Sequence, residues 1–369
     1  MKTIACAAGY GSGGLGQHLA EIVEEARQAD TLACYYTQSP QPDDPAGRIV
    51  SLVGLSQALQ YTPLRFSLGG KNHVGNEWFD RAVTSRLDRG ETYMGFVGQS
   101  LHSFRQARCL GYEKLELEAA NSHVRNVTRQ HTKAFRQYGI ETQSWLNEAQ
   151  CRKTEREYEM ADEIVVASEY SRQSFLAAGF PASKLRMRRL VPHARFQPPA
   201  SRPDDGVFRI VCVGSMTVMK GIPVLLEAFS RLSGRAVELT LVGGWASRGM
   251  RRFLLEQVAK DTRIHLAPGD PLPHLQRANV YVHPTYEDGF AYSAAEALAC
   301  GVPVIVTEDT GMKELVEEGV NGYIVPTGSW EAILERLEFI GNSSQKGFND
   351  YGNYCSIPTG QTGSNGVQN

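Results

Sequence analysis

The sequence predicts an α/β protein of two domains, each built on a parallel β-sheet. The chain opens with a strand at Thr3–Ala8, a glycine-rich turn, a helix from about Leu15 to Ala29 and a strand at Leu32–Thr37. The same rhythm restarts with a strand at Phe208–Val213 and a helix over Pro223–Leu232. Two such halves predict two Rossmann-like domains facing a central cleft, with ligands beyond the carboxyl ends of the strands.

A proline-rich segment separates the two halves. Residues 198–206 contain three prolines, a glycine and two acids, which is typical of a linker. We therefore assign residues 1–197 to an N-terminal domain and residues 207–340 to a C-terminal domain. Residues 341–369 are rich in glycine, serine and asparagine and predict a disordered tail.

Composition and charge exclude several classes of protein. The net charge of −2 gives no general attraction to nucleic acid, and no apolar run approaches the roughly 20 residues of a membrane span. The seven cysteines are dispersed without a C-x-x-C pair, which argues against a disulfide framework or a zinc site. The first eight residues are too short and too soon broken by glycine for a signal peptide. We expect a cytoplasmic protein.

Local patterns predict the remaining elements. Ser168 suits the N-cap of a helix over Glu169–Ala178, and much of 101–180 is expected to be helical. Further strands are predicted at Glu163–Ala167, Glu238–Val242, Arg263–Leu266, Val280–His283 and Pro303–Val306.

The stretch from His283 to Val306 has the strongest chemical pattern. Asp288 precedes a helix and Glu296 follows eight residues later, so both carboxylates can face one cleft and accept hydrogen bonds from sugar hydroxyls. Backbone N–H groups at the start of the helix suit a diphosphate, and they belong to Gly289, Phe290 and Ala291. On spacing alone, an ordinary acid at a helix start and a solvated glutamate are the more common explanation.

This stretch resembles the donor-site signature of the family 4 retaining glycosyltransferases, E-x7-E followed by A-x-G-x-P-V-I. Four other segments resemble the family in the same order, at residues 161–171, 213–229, 241–244 and 311–326. The resemblance implies the GT-B fold, with a donor-binding C-terminal domain and an acceptor-side N-terminal domain. It also implies that a sugar moves with retention from a nucleotide-sugar co-substrate to a carbohydrate or lipid-linked acceptor.

The resemblance also implies roles for single residues. The diphosphate would lie near Gly214, Lys220 and the backbone of Gly289–Ala291, with Glu296 on the ribose and Asp288 on the transferred sugar. His123 takes the place of the active-site histidine, with His102 as the weaker candidate. The chain has no D-x-D motif, so neither a metal nor another cofactor is expected.

Two residues depart from the family pattern. Asp288 stands in place of the first glutamate, and Ser215 stands where an arginine usually helps to neutralise the diphosphate. Lys220 would then carry more of that task, as a point charge without a bidentate fork. These departures keep open a nucleotide-sugar-binding pseudoenzyme or regulatory subunit.

The N-terminal glycine loop supports a second alternative. Residues 11–16 fit G-x-G-x-x-G after a strand, a pattern typical of dinucleotide binding. However, the second strand closes on Thr37 without an acid, which weakens an NAD(P)-dependent oxidoreductase. The family has a similar loop facing the donor phosphates, which makes Gly14 and Gly16 candidate donor contacts, and a tight structural turn is the simpler explanation.

Four cations recur at near-helical spacing after His123, namely Arg125, Arg129, Lys133 and Arg136. A solvated helix face is the usual meaning of such a basic stripe. The functional alternative is peripheral contact with the inner face of a membrane, or a dock for an anionic acceptor.

Overall fold

The computed structural model describes residues 1–233 and 236–343, which divide into two compact units. The first unit contains Met1–Leu190 together with Tyr286–Ala291 and Asp309–Glu314. The second contains Val191–Thr285, Tyr292–Glu308 and the residues from Leu315. Most of the predicted tail lies outside the described residues, but residues 341–343 form the end of a helix.

The first unit is built on a seven-stranded parallel sheet in the order β3-β2-β1-β4-β5-β6-β7. Its strands are β1 Lys2–Ala5, β2 Leu32–Thr37, β3 Gly47–Ile49, β4 Thr92–Phe96, β5 Lys114–Ala119, β6 Glu163–Val166 and β7 Leu185–Met187. Its helices are α1 Gly13–Gln28, α2 Val53–Leu59, α3 Leu68–Thr84, α4 Leu101–Cys109, α5 Val124–Gln137, α6 Glu148–Met160 and α7 Glu169–Ala177. Short 3-10 turns cover Pro63–Phe66, Ala182–Lys184 and Gly311–Leu315.

Two apolar layers hold this sheet. Leu19, Ile22 and Val23 of α1 pack on one face, against Ile4 and neighbouring strand residues. Side chains from α3, α4, α5, α6 and α7 form the larger cluster that contains Leu115 and Leu117 of β5.

The second unit has a six-stranded parallel sheet in the order β10-β9-β8-β11-β12-β13. Its strands are β8 Phe208–Val213, β9 Val237–Val242, β10 Ile264–Ala267, β11 Val280–His283, β12 Val304–Thr307 and β13 Gly322–Val325. Its helices are α8 Ile222–Arg231, α9 Arg248–Lys260, α10 Leu272–Leu275, α11 Tyr292–Ala299 and α12 Trp330–Ser343. The strand order reverses between β8 and β11, the point where ligands bind in open α/β sheets.

Two parallel Rossmann-like sheets confirm the predicted α/β class. Strands β2, β8 and β11 have the predicted bounds, whereas β1 ends at Ala5 rather than at Ala8. Strand β5 interrupts the stretch predicted to be largely helical. Among the described residues, no helix is long and apolar enough to cross a membrane.

Candidate functional site

The glycine-rich turn of the first unit connects β1 to α1. Gly16 is held close to the turn, because a Cβ there would lie 2.0 Å from the carbonyl oxygen of Gly9. Nothing lies within 4 Å of a Cβ built at Gly14. The turn therefore needs glycine at 16 for its own packing and leaves open space at 14. Contacts of either residue with a donor stay a prediction.

In the second unit, Gly214 and Ser215 follow β8 and are exposed at the carboxyl edge of the sheet. The Gly214 amide donates to the carbonyl of Val242 at 2.9 Å, and Met216 donates to the carbonyl of Gly244 at 2.8 Å. The turns after β8 and β9 are thus hydrogen-bonded to each other. They form a shelf of backbone where a ligand is expected in this fold.

Lys220 lies at the far end of the β8 turn, half-buried. Its backbone amide donates to Thr217 Oγ1 at 3.1 Å, which fixes the turn. Burial raises the pKa of the Cys212 thiol to about 12, and the positive charge of Lys220 opposes that shift. The Lys220 side chain is therefore close enough to the end of β8 to act on it electrostatically.

Glu296 is buried in α11, with only 7% of its surface exposed. The proposal that it is an ordinary solvated acid is therefore wrong. Ser293, on the same helix, shares a 2.7 Å hydrogen bond with Tyr281 Oη and donates to the carbonyl of Val213 at 3.3 Å. These bonds fix the start of α11 against the ends of β8 and β11. The role of the Glu296 carboxylate as an acceptor of hydrogen bonds from a donor stays a prediction.

The loop that carries Asp288 belongs to the first unit and is anchored by its neighbour Glu287. The buried carboxylate of Glu287 accepts hydrogen bonds from Asn121 Nδ2 at 2.9 Å and from the Ser122 amide at 3.0 Å. Ser168 Oγ donates to the carbonyl of Gly289 at 2.6 Å. A Cβ at Gly289 would lie 2.1 Å from the Ala120 carbonyl oxygen, so only glycine permits this close approach.

Asp288 itself stabilises the turn that precedes α11. Its Oδ1 accepts the amides of Phe290 at 3.4 Å and Ala291 at 3.0 Å. Ala291 has φ of 70°, in the left-handed region that costs an alanine roughly 1–2 kcal/mol. The aspartate carboxylate thus compensates strain in a turn whose Phe290 and Ala291 are both buried.

The structure places His123 in a hydrophobic environment. Only 6% of its surface is exposed, and its ring lies 5.1 Å from that of Tyr158 and 5.3 Å from that of Phe175. Its Nδ1 accepts the Arg125 amide at 3.3 Å, so the ring caps α5. Burial lowers its pKa. Its predicted catalytic role stays a prediction, and this geometry favours a structural one.

His102 belongs to a partly buried polar cluster at the start of α4. Its Nε2 lies 2.9 Å from Glu77 Oε2, and its ligand atoms and those of Glu77 and Asp80 lie within 4.8 Å of one another. The Lys153 ammonium lies 2.8 Å from Glu77 and 2.9 Å from Asp80. Asp80 also accepts the amides of His102 and Ser103, both at 2.9 Å. The Lys153 ammonium thus pairs with both carboxylates of this cluster.

The four cations of the basic stripe on α5 have different surroundings. Arg125 pairs with Glu148 and Glu155 of α6. The other three cations, with Thr132 and Gln137, line a shallow depression of about 600 Å³. Arg129 donates to the side-chain oxygen of Asn126. Arg129, Lys133 and Arg136 thus lie around one depression, while Arg125 is paired with α6.

Sequence reasoning missed Glu287, Asn121 and Ser122. The only available signal was the second acid directly before Asp288, and nothing in the sequence pairs it with residues 166 positions away. Sequence reasoning also did not single out Ser293 and Tyr281, which fix the helix that carries Glu296.

Residues 194–353 match the family model described as glycosyl transferases group 1. A putative colanic acid biosynthesis glycosyltransferase, WcaL of Escherichia coli (strain K12), is 29% identical over 175 residues, 43% of this chain and 42% of that protein. The match therefore spans less than half the length of this curated relative.

Solved structures match over nearly the whole chain. Sucrose-phosphate synthase from Thermosynechococcus elongatus has a TM-score of 0.73 and 19% identity, over 96% of this chain and 93% of that one. HepE of Anabaena in complex with UDP has a TM-score of 0.67 and 16% identity, over 97% and 94%. The chain has the GT-B fold of such glycosyltransferases, and its residues 194–353 match the glycosyl transferases group 1 family.

Proposed function

We propose that the protein is a glycosyltransferase that moves a sugar from a nucleotide-sugar donor to a carbohydrate acceptor with retention of configuration. The observation that carries this proposal is the buried Glu296 on α11. It lies in the segment that matches the group 1 family and beside the strand-order reversal of the second sheet. A carboxylate held there accepts hydrogen bonds from a ribose, and Lys220 supplies charge to a diphosphate.

The main catalytic effect proposed is stabilisation of the leaving diphosphate. Charge develops on the diphosphate as the sugar bond breaks, and the half-buried Lys220 stabilises that charge. The family resemblance implies that Asp288 binds the transferred sugar. Because His123 is buried among aromatic rings, we propose that it positions α5 and does not touch the sugar.

The acceptor is proposed from the relatives and from charge. WcaL is described as acting in colanic acid biosynthesis, so a polysaccharide precursor is the first acceptor class to test. The depression lined by Arg129, Lys133 and Arg136 would suit an anionic or lipid-linked form of such an acceptor, held at a membrane surface.

A binding protein without catalysis is the second candidate. It is favoured by one observation, the use of the Asp288 carboxylate to hold the amides of Phe290 and Ala291. A carboxylate committed to its own turn contributes less to a sugar hydroxyl. In that case nucleotide binding would persist while transfer would be absent.

A panel of nucleotide sugars tests these possibilities. Calorimetry measures the binding of UDP, GDP and ADP. UDP is tested first, because the structure of HepE was solved with UDP. Release of the free nucleotide from each sugar nucleotide measures turnover. We expect binding and slow hydrolysis, unchanged by excess EDTA. Binding without turnover under every acceptor condition would favour the binding protein. If EDTA abolished turnover and magnesium restored it, metal independence would be contradicted. Binding of NADH with enhanced fluorescence would favour an oxidoreductase.

A further inference from the structure

We propose that Arg251, held against the ring of Trp245, supplies the second positive charge of the diphosphate site in the second unit. The proposal rests on the proposed function, since it concerns the same donor. It assigns diphosphate binding to Arg251 and a positioning role to Trp245.

The backbone places Trp245 beside the turn where the diphosphate is proposed to bind. Trp245 follows β9 and forms a parallel β-bridge with Met216, next to Ser215. The 2.8 Å hydrogen bond from Met216 to Gly244 fixes the two turns together. Trp245 therefore lies at the carboxyl edge of the sheet, where ligands bind in this fold.

The indole of Trp245 is not used to build the core. It is 44% exposed, which is unusual for so large an aromatic side chain. Arg251 lies in the first turns of α9, whose N-cap Ser247 accepts the Met250 amide at 3.0 Å. The guanidinium carbon of Arg251 is 5.5 Å from the centre of the Trp245 ring, within the range of a cation–π contact.

The guanidinium of Arg251 has no carboxylate or hydrogen-bond acceptor within residues 1–233 and 236–343. Arg263 offers a contrast in the same unit. It also lies over an aromatic ring, that of Phe229 at 4.8 Å, but its guanidinium is bonded to Asp261 at 2.6 Å. The guanidinium N–H groups of Arg251 are thus available to donate to a ligand.

The charge of a nucleoside diphosphate exceeds the positive charge that the β8 turn offers, and this difference supports a role for Arg251. A nucleoside diphosphate brings at least two negative charges, and the β8 turn itself offers one cation, Lys220, with the neutral Ser215 at its start. A guanidinium binds phosphate oxygens in a bidentate fork, which an ammonium does not do. Arg251 provides that fork from the first turn of α9, which follows the turn that carries Trp245.

The test compares the affinities of the full chain for UDP, UMP and uridine by calorimetry, with GDP and ADP series in parallel. Arg251→Gln should weaken binding of the preferred diphosphate by about 10- to 100-fold, as for a lost charge-assisted hydrogen bond, and leave binding of the nucleoside unchanged. Arg252→Gln, the adjacent exposed arginine, is the matched control and should bind the diphosphate like wild type. Adding Ser215→Arg to Arg251→Gln should restore most of the affinity, because it returns a guanidinium to the same shelf.

Variants of Trp245 test the positioning role. Trp245→Phe retains a ring and should keep most of the diphosphate affinity, whereas Trp245→Leu should lose several-fold at unchanged melting temperature. If wild type binds a nucleoside diphosphate and Arg251→Gln binds it equally well, the assignment of Arg251 is wrong and the proposed function stands. Equal losses for Arg251→Gln and Arg252→Gln would also overturn it, since general charge would explain both. If wild type binds no nucleoside diphosphate, the proposed function fails, and the inference fails with it.

Discussion

Glu287 Oε2 accepts a hydrogen bond from Asn121 Nδ2 at 2.9 Å, across 166 positions of sequence. The other carboxylate oxygen accepts the Ser122 amide at 3.0 Å. One buried side chain therefore fixes the loop that carries Asp288 to the residues that follow β5. The contact holds the backbone directly before Asp288 in place.

Replacing Glu287 by leucine should lower the free energy of unfolding by about 2–4 kcal/mol. The reason is that the Asn121 amide and the Ser122 N–H would lose their acceptor in a buried setting. Urea unfolding followed by circular dichroism measures the change. Glu317→Gln, an exposed control, should stay within about 0.5 kcal/mol of wild type. Equal stability of Glu287→Leu and wild type would contradict the anchoring role.

Glu296→Gln should weaken binding of the preferred nucleotide by about 1.5–3 kcal/mol, since a charged acceptor becomes a neutral one. Calorimetry on the folded variant gives the value. Glu335→Gln, on the exposed side of α12, serves as the control and should bind like wild type. An unchanged affinity in Glu296→Gln would remove this residue from the donor site.

His123 should make stability depend on pH. Burial lowers its pKa from 6.5, so below about pH 6.5 the unfolded chain takes up a proton that the folded state resists. Its contribution is therefore present above pH 6.5 and is lost as the pH falls. His123→Asn, which keeps an acceptor suited to a helix N-cap, should show a smaller drop in melting temperature between pH 7 and pH 5 than wild type.

The same variant separates positioning from catalysis. Turnover of His123→Asn should remain within a few-fold of wild type if the ring only caps α5. A loss on the order of a hundredfold at unchanged melting temperature would instead indicate a direct role in the reaction.

The double charge reversal Arg129→Glu with Lys133→Glu should abolish binding to vesicles that contain phosphatidylglycerol, most clearly at low salt. Arg152→Glu with Arg156→Glu on α6 makes the same change in net charge and should bind like wild type. Sedimentation of the protein with the vesicles measures both. If wild type ignores anionic vesicles, the cations on α5 form a solvated helix face.

The sequence alone determined those elements whose signals are local. β2, β8 and β11 are short apolar runs bounded by turn residues, and their bounds match the prediction. Ser168 accepts the Ser171 amide at 3.1 Å, as its N-cap position predicts. Each of these signals involves only residues that are neighbours in the sequence, so it can be recognised without knowledge of the fold.

Tertiary structure decided the features that depend on distant partners. In β5, Leu115 and Leu117 enter the helical layer, while Glu116 and Glu118 face the other side of the sheet. Lys2 lies 2.9 Å from Glu116 and Arg188 lies 3.3 Å from Glu118, so two acids that suggest a helix surface lie beside cations inside the fold. The burial of Glu296 and His123 and the anchoring by Glu287 have the same origin. Whether a polar side chain is solvated, buried or bonded depends on neighbours that only the folded chain brings together.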